Sequence, residues 1–250
     1  MSQIIYTKTL GNGDYKANVA APTNKLKTNL LAYYKLDEES GTRFDAHGSN
    51  DLDTVASAPP SIAGKDGNAL DFSGLWGGDR LSRSVTNEPA LNGLANFSFS
   101  VWFRMEATQW AILFTNRWAG SDLNFEITIP TSPKVRFMID STSNYVVSDT
   151  TLSTSTVYHL VGVYDGTEDA GIARMKLFID GTLEADRTEA GTIPASTTVT
   201  GSNFSIGSRS GGNEFNGWID EFAMWDRSIT THEAEQLWNQ GNGLFYGDFQ

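Results

Sequence analysis

Aromatic, acidic and basic side chains set beside glycine are the groups in this sequence that could hold a sugar. Trp76, Asp79 and Arg80 fall in Gly74-Leu75-Trp76-Gly77-Gly78-Asp79-Arg80, and Arg117, Trp118 and Asp122 fall in Asn116-Arg117-Trp118-Ala119-Gly120-Ser121-Asp122. A sugar presents an apolar CH face together with polar hydroxyls, so an indole next to carboxylate and guanidinium groups matches both. These six are the candidate ligand-binding residues. The competing reading is that both indoles cover the edges of a sheet. A third polar loop, Ser208-Arg209-Ser210-Gly211-Gly212-Asn213-Glu214, has no aromatic of its own.

Hydrolysis would need more. A glycosidase aims two carboxylates at one sugar bond, whereas Asp220 and Glu221 are neighbours in a strand-like run, and alternation sends i and i+1 to opposite faces. The histidines, His47, His159 and His232, are widely separated, so no Ser-His-Asp arrangement can be drawn. His159 reads as a packed, hydrogen-bonded strand histidine. Cysteine is absent, which removes thiol nucleophiles, thiolate metal sites and disulfides. No catalytic residue is assigned, and the expectation is a binding protein, not an enzyme.

The elements that must position these groups are short strands. Phe97, Phe99, Val101, Phe103 and Met105 alternate with Ser98, Ser100 and Arg104, which predicts a half-buried strand. On the polar side Trp102 is either a platform or roofed by another segment. Further short runs lie at 110–115, 123–129, 135–139, 157–164, 175–179, 204–206 and 218–225. Asp165-Gly166 and Asp180-Gly181 end two of them, where glycine can supply the positive φ of a tight turn. One helix is predicted over 231–240, with Thr230 and Glu233 as a capping box, Gly241 after the last turn, and Ala234, Leu237 and Trp238 on one face. Many strands and one helix give an all-β sandwich.

Residues 1–28 contain Gly11, Gly13 and Pro22 and sustain no period, so they read as an N-terminal arm, with the folded domain over 29–250. The chain has 250 residues and a formal charge of −12, which argues against a nucleic-acid backbone as partner. No apolar run reaches the length of a membrane span, so no membrane insertion is expected. Met1-Ser2-Gln3-Ile4-Ile5-Tyr6 lacks the basic start and apolar core of a secretory signal, pointing to a product made in the cytoplasm.

In order, the sequence carries Tyr34-Lys35-Leu36-Asp37-Glu38-Glu39-Ser40-Gly41-Thr42, Asp45-Ala46-His47-Gly48, Gly64-Lys65-Asp66-Gly67-Asn68-Ala69-Leu70-Asp71-Phe72 and Phe97-Ser98-Phe99-Ser100-Val101-Trp102-Phe103. Tyr158-His159-Leu160-Val161-Gly162-Val163-Tyr164-Asp165-Gly166, Leu177-Phe178-Ile179-Asp180-Gly181, Ile206-Gly207, Phe215-Asn216-Gly217-Trp218-Ile219-Asp220-Glu221-Phe222 and Thr230-Thr231-His232-Glu233 follow. Over about residues 30–239 this series resembles the laminin-G-like (pentraxin-like) concanavalin-A jelly rolls. The resemblance implies a two-sheet antiparallel jelly-roll sandwich with a short C-terminal helix. Related hydrolases carry Glu-x-Asp-x-x-Glu on one strand, and that motif is absent here. The resemblance also implies a structural calcium ion fastening the first and last strands, with Asp37 and Asp220 in the matching strands and Asp45 as a weaker ligand that can equally cap a turn.

The family spans many activities. The leading expectation is a phage virion surface protein, a head decoration or a fibre or tail component. Its arm would dock to other virion proteins in an oligomeric assembly, and its jelly roll would adhere to cell-surface glycans. That expectation comes from the lack of an export signal on a domain type that bacteria usually secrete. The alternative is a free, extracellular carbohydrate-binding module or lectin, and a laminarinase-like hydrolase is the third reading.

Overall fold

Alternation of apolar and polar residues decides the architecture. The computed structural model describes residues 6–10, 13–17, 24–56, 59–72, 80–83, 93–117, 123–169, 171–198, 203–209 and 212–250. Leu123–Ile129 sends Phe125, Ile127 and Ile129 into the main core, and Asn96–Met105 sends in Phe97, Phe99, Val101, Phe103 and Met105. Strands with one apolar face must bury it against a second layer. Among the described residues the result is two eight-stranded antiparallel sheets packed face to face as a jelly-roll sandwich.

The first sheet runs Thr182–Leu183, Met175–Ile179, Val157–Asp165, Asn96–Met105, Gly217–Trp225, Asn68–Asp71, Ser61–Ala63, with Leu30–Tyr34 also paired to Gly217–Trp225. The second runs Thr188–Ala190, Ser141–Val147, Arg136–Ile139, Leu123–Ile129, Ala111–Arg117, Phe204–Ile206, Arg80–Ser82, Thr54–Ala56. Aromatic rings lock the sheets together: Phe99 meets Phe114 edge to face at 4.7 Å, and Phe114 meets Phe222 at 4.8 Å. Such pairs add to the free energy of burial itself.

The strand Asn96–Met105 is buried on both faces, not on one as its pattern predicts. Ser98, Ser100 and Trp102 are at most 4% exposed. The outer face of the first sheet carries a second apolar layer, in which Leu26, Ile229, Ala234, Leu237 and Phe249 pack on Tyr33, Val161, Val163 and Trp225. Trp102 is roofed: it clusters with Ala69 and Trp218 beneath Trp238 and Phe245. The helix Thr231–Trp238 has the expected Thr230/Glu233 capping box. It stops earlier than predicted because Asn239 and Gln240 adopt φ of 48° and 54°. No helix among the described residues is long and apolar enough to cross a membrane.

The N-terminal segment has more structure than its composition suggests. Tyr6–Leu10 pairs with Gly13–Ala17 as a two-stranded sheet of its own, bonded to neither sandwich sheet among the described residues. A boundary after residue 28 is also too late. Leu26 is fully buried, and its carbonyl accepts the Trp225 indole N–H at 2.6 Å. Lys27 N–H donates to the Gln250 carbonyl at 3.0 Å, so residues 24–28 are knit into the domain.

Three glycines show different constraints. Asp180 and Gly181 take φ of 50° and 73°, the positive values expected of a tight hairpin turn. Gly166 is constrained by space rather than by a positive φ: a Cβ there would lie 1.8 Å from the Ala195 carbonyl oxygen. Gly162 is tighter in its consequences, because it pairs with Phe99 and a Cβ would stand 2.1 Å from that ring. Gly162→Ala should therefore push Phe99 out of its place between the sheets and cost about 1–3 kcal/mol, the usual cost of overpacking. Chemical denaturation would read this as a lower midpoint with an unchanged slope, and an unchanged midpoint would show that the ring relaxes freely.

Candidate functional site

The outer face of the second sheet carries a groove of about 310 Å³. Its floor comes from alternation in Leu123–Ile129: with Phe125 and Ile127 in the core, Asn124, Glu126 and Thr128 face the other way. Next to them Arg136 and Met138 project from Arg136–Ile139, since Thr128 pairs with Arg136 and Glu126 with Met138. Trp110, 40% exposed, stands at the mouth. Arg209 and Asn213 close one side, brought there by the hydrogen bond from Ile112 N–H to the Asn213 carbonyl at 2.9 Å.

Glu126 is almost wholly buried, and burial raises its pKa against the opposing pull of Arg117 and Arg209. It accepts from the Thr115 hydroxyl at 3.1 Å, and its other oxygen lies 3.5 Å from the Arg117 guanidinium. Arg136 lies against two rings, 3.7 Å from the centroid of Tyr145 and 5.5 Å from that of Trp110. Thr128 Oγ1 and Arg136 Nε are buried and without a hydrogen-bond partner among the described residues. Buried polar atoms in that state are uncommon and favour a bound water or ligand group.

Of the sequence-derived ligand residues, Trp76, Asp79, Trp118 and Asp122 lie outside the described residues. Arg117 lines the groove, whereas Arg80, on Arg80–Ser82, is not among its lining residues. Trp110, Glu126, Arg136 and Arg209 were not picked out as ligand residues from the sequence. The polar alternation Asn124, Glu126, Thr128 was the available signal, and the loop of Arg209 lacked an aromatic only because Trp110 supplies it from another element.

The proposed metal ligands sit elsewhere, around the loop 64–68 on the first sheet. Asp220 Oδ2 accepts the N–H groups of Lys65 and Asp66 at 2.6 and 3.3 Å, and Asp37 Oδ1 accepts that of Asn68 at 2.8 Å. Glycine lets the loop come this close: a Cβ on Gly64 would lie 2.5 Å from Asp220, and one on Gly67, at φ +68°, 2.3 Å from Asp37. Each carboxylate commits one oxygen to the loop, and Asp220 Oδ1 is buried without a partner among the described residues. That orphaned oxygen fits a hard cation. Asp45 does not extend the set, since Tyr33, His47 and Asn50 N–H groups engage both of its oxygens. Among the described residues no group of three or more acidic or histidine side chains could hold a metal ion, so a cation here would also need backbone or water oxygens.

The expected opposition of Asp220 and Glu221 does not hold. A bulge shifts the register between Asp220 and Ala223, with Glu221 at φ +50°, and an extra residue in a strand breaks alternation. Glu221 accepts the hydroxyl of Tyr33 in the outer layer. Burial drives Asp220 up to about 7, with the charge of Asp37 adding to it, and drives Glu221 up to about 9, with the charges of Asp220, Asp66 and Asp37 adding to it. His159 is buried with Nε2 2.8 Å from the Ser100 hydroxyl. Burial, reinforced by Lys65, lowers its pKa to about 3, which leaves the ring neutral.

Residues 78–235 match the family described as the concanavalin A-like lectin/glucanases superfamily. No curated protein sequence matches the chain. Among solved structures, domain 4 of AbnA, a GH43 extracellular arabinanase from Geobacillus stearothermophilus in complex with arabinotriose, is 18% identical with a TM-score of 0.58. That similarity covers 83% of this chain and 97% of the arabinanase domain. The binding domain of Paraclostridial Mosquitocidal Protein 1 is 16% identical with a TM-score of 0.62, over 86% of this chain and 53% of that one. A Trypanosoma rangeli sialidase is 13% identical with a TM-score of 0.61, and the similarity covers 86% of this chain but only 33% of the sialidase. At these identities the likeness is one of fold alone.

Proposed function

The chain belongs to the concanavalin A-like lectin/glucanases superfamily, and from that premise we propose that it is a non-catalytic adhesion module that binds a glycan in the groove of its second sheet. The observation that carries this reading is Trp110, a large indole left 40% exposed beside polar and charged side chains. Such a mixture suits the CH faces and hydroxyls of a sugar. Glu126 is the single carboxylate among the described residues lining the groove, which supports binding over hydrolysis, because glycosidases work with two. A domain of this fold has been seen with arabinotriose. Trp110→Ala should abolish binding on a glycan array while leaving the melting temperature within a few degrees. Retained binding would place the site elsewhere.

Calcium in this proposal is structural, held by Asp37 and Asp220, and supplies cohesion between the first and last strands of the domain. A ligand bound only by the native state stabilises it by mass action, by about 2.7 kcal/mol at a hundredfold excess over Kd. Chelator should accordingly lower the melting temperature without changing the far-UV circular dichroism, and identical melting curves with and without it would remove the ion from the account.

A virion location is the finer reading, and the separate sheet of Tyr6–Leu10 and Gly13–Ala17 favours it. A short hairpin outside the sandwich can add its strands to a partner's sheet edge. Deleting residues 1–23, which spares the buried Leu26, should leave cooperative melting intact and abolish incorporation into phage particles. Normal incorporation of the shortened chain would eliminate the docking role.

A further inference from the structure

We infer that the groove selects acidic sugars, taking a carboxylated or sulfated residue set among neutral ones; this rests on the glycan-binding reading above. Among the described residues, three guanidinium groups, Arg117, Arg136 and Arg209, line it against one carboxylate, Glu126. The surrounding protein carries a formal charge of −12, so this patch has the opposite sign to the molecule as a whole. Arg117 is partly occupied in neutralising Glu126 at 3.5 Å, which leaves the balance of positive charge with Arg136 and Arg209.

Arg136 is prepared for an anion. Stacking at 3.7 Å on Tyr145 holds its planar guanidinium, and a stacked guanidinium keeps its N–H donors in the plane of the group, where a carboxylate or sulfate can meet two of them. Its Nε is buried with no partner among the described residues. An uncharged sugar would leave these groups without a charged acceptor. The acidic molecule also limits the ligand: at long range it repels a polyanion charged on every unit, which favours an isolated acidic residue with a neutral neighbour for Trp110.

The experiment is an array of paired oligosaccharides, each carboxylated member beside its methyl ester and each sulfated member beside its desulfated form. Wild-type protein should bind acidic members, and masking the charge should weaken binding about tenfold or more, the scale of one charge-assisted contact. Arg209→Gln should lose a similar factor on acidic members and a distinctly smaller one on neutral members. Glu126→Gln, near in shape and relieved of a repelling charge, should tighten acidic members. Equal binding of acid and ester, with both variants indifferent and Trp110→Ala still abolishing binding, would overturn the acidic preference and leave the groove reading intact. Binding of no member, or binding insensitive to Trp110→Ala, would overturn both.

Discussion

The central strands of the first sheet must be covered twice, and the rest of the structure follows from that constraint. Asn96–Met105 and Gly217–Trp225 turn one face to the sandwich core and the other to the layer built from residues 24–30 and the C-terminal helix region. Leaving a hydroxyl unpaired on a strand buried on both faces costs free energy. Ser98 is therefore spent on the Arg227 carbonyl and the Ile229 N–H, which aim the chain into the helix, and Ser100 is spent on His159. The helix covers the sheet, and the sheet's hydroxyls determine where the helix begins.

The two outer faces have consequently diverged. That of the first sheet is closed by apolar side chains and by the loop that wraps Asp37 and Asp220. That of the second keeps long polar side chains over a buried polar row, Asn124, Glu126 and Thr128. Desolvating Glu126 there is tolerable because Arg117 and Thr115 reach it. An ionisable group held in this way raises the local field.

What could be read from the sequence was whatever depends on local period. The strands Leu123–Ile129, Met175–Ile179 and Phe204–Ile206 coincide with their apolar runs, and the capping box of Thr230 and Glu233 is present. What escaped depends on neighbours distant in the chain. Ser98 and Ser100 look like a solvent face until Ile229 and the helix arrive. The alternation of Asp220 and Glu221 fails at a bulge that nothing within Trp218-Ile219-Asp220-Glu221-Phe222 announces. The groove assembles Trp110, Glu126, Arg136 and Arg209 from four separate segments, so no single stretch carried its pattern. Leu26, an isolated apolar residue amid polar ones, is part of the fold only because Trp225 and Phe249 meet it.

Residues 24–28 and the last residues of the chain are stitched side by side: Asn24 exchanges hydrogen bonds with Asp248 and Gln250, and Lys27 N–H meets the Gln250 carbonyl. Both segments lie with the apolar layer on the first sheet, on the opposite side of the sandwich from the groove. A tether attached at either end of the domain would thus hold it from behind, with the groove on the far side. Tension applied between the two ends would be carried first by this short seam of hydrogen bonds, and the same adjacency makes the domain geometrically suited to insertion within a loop of a larger host.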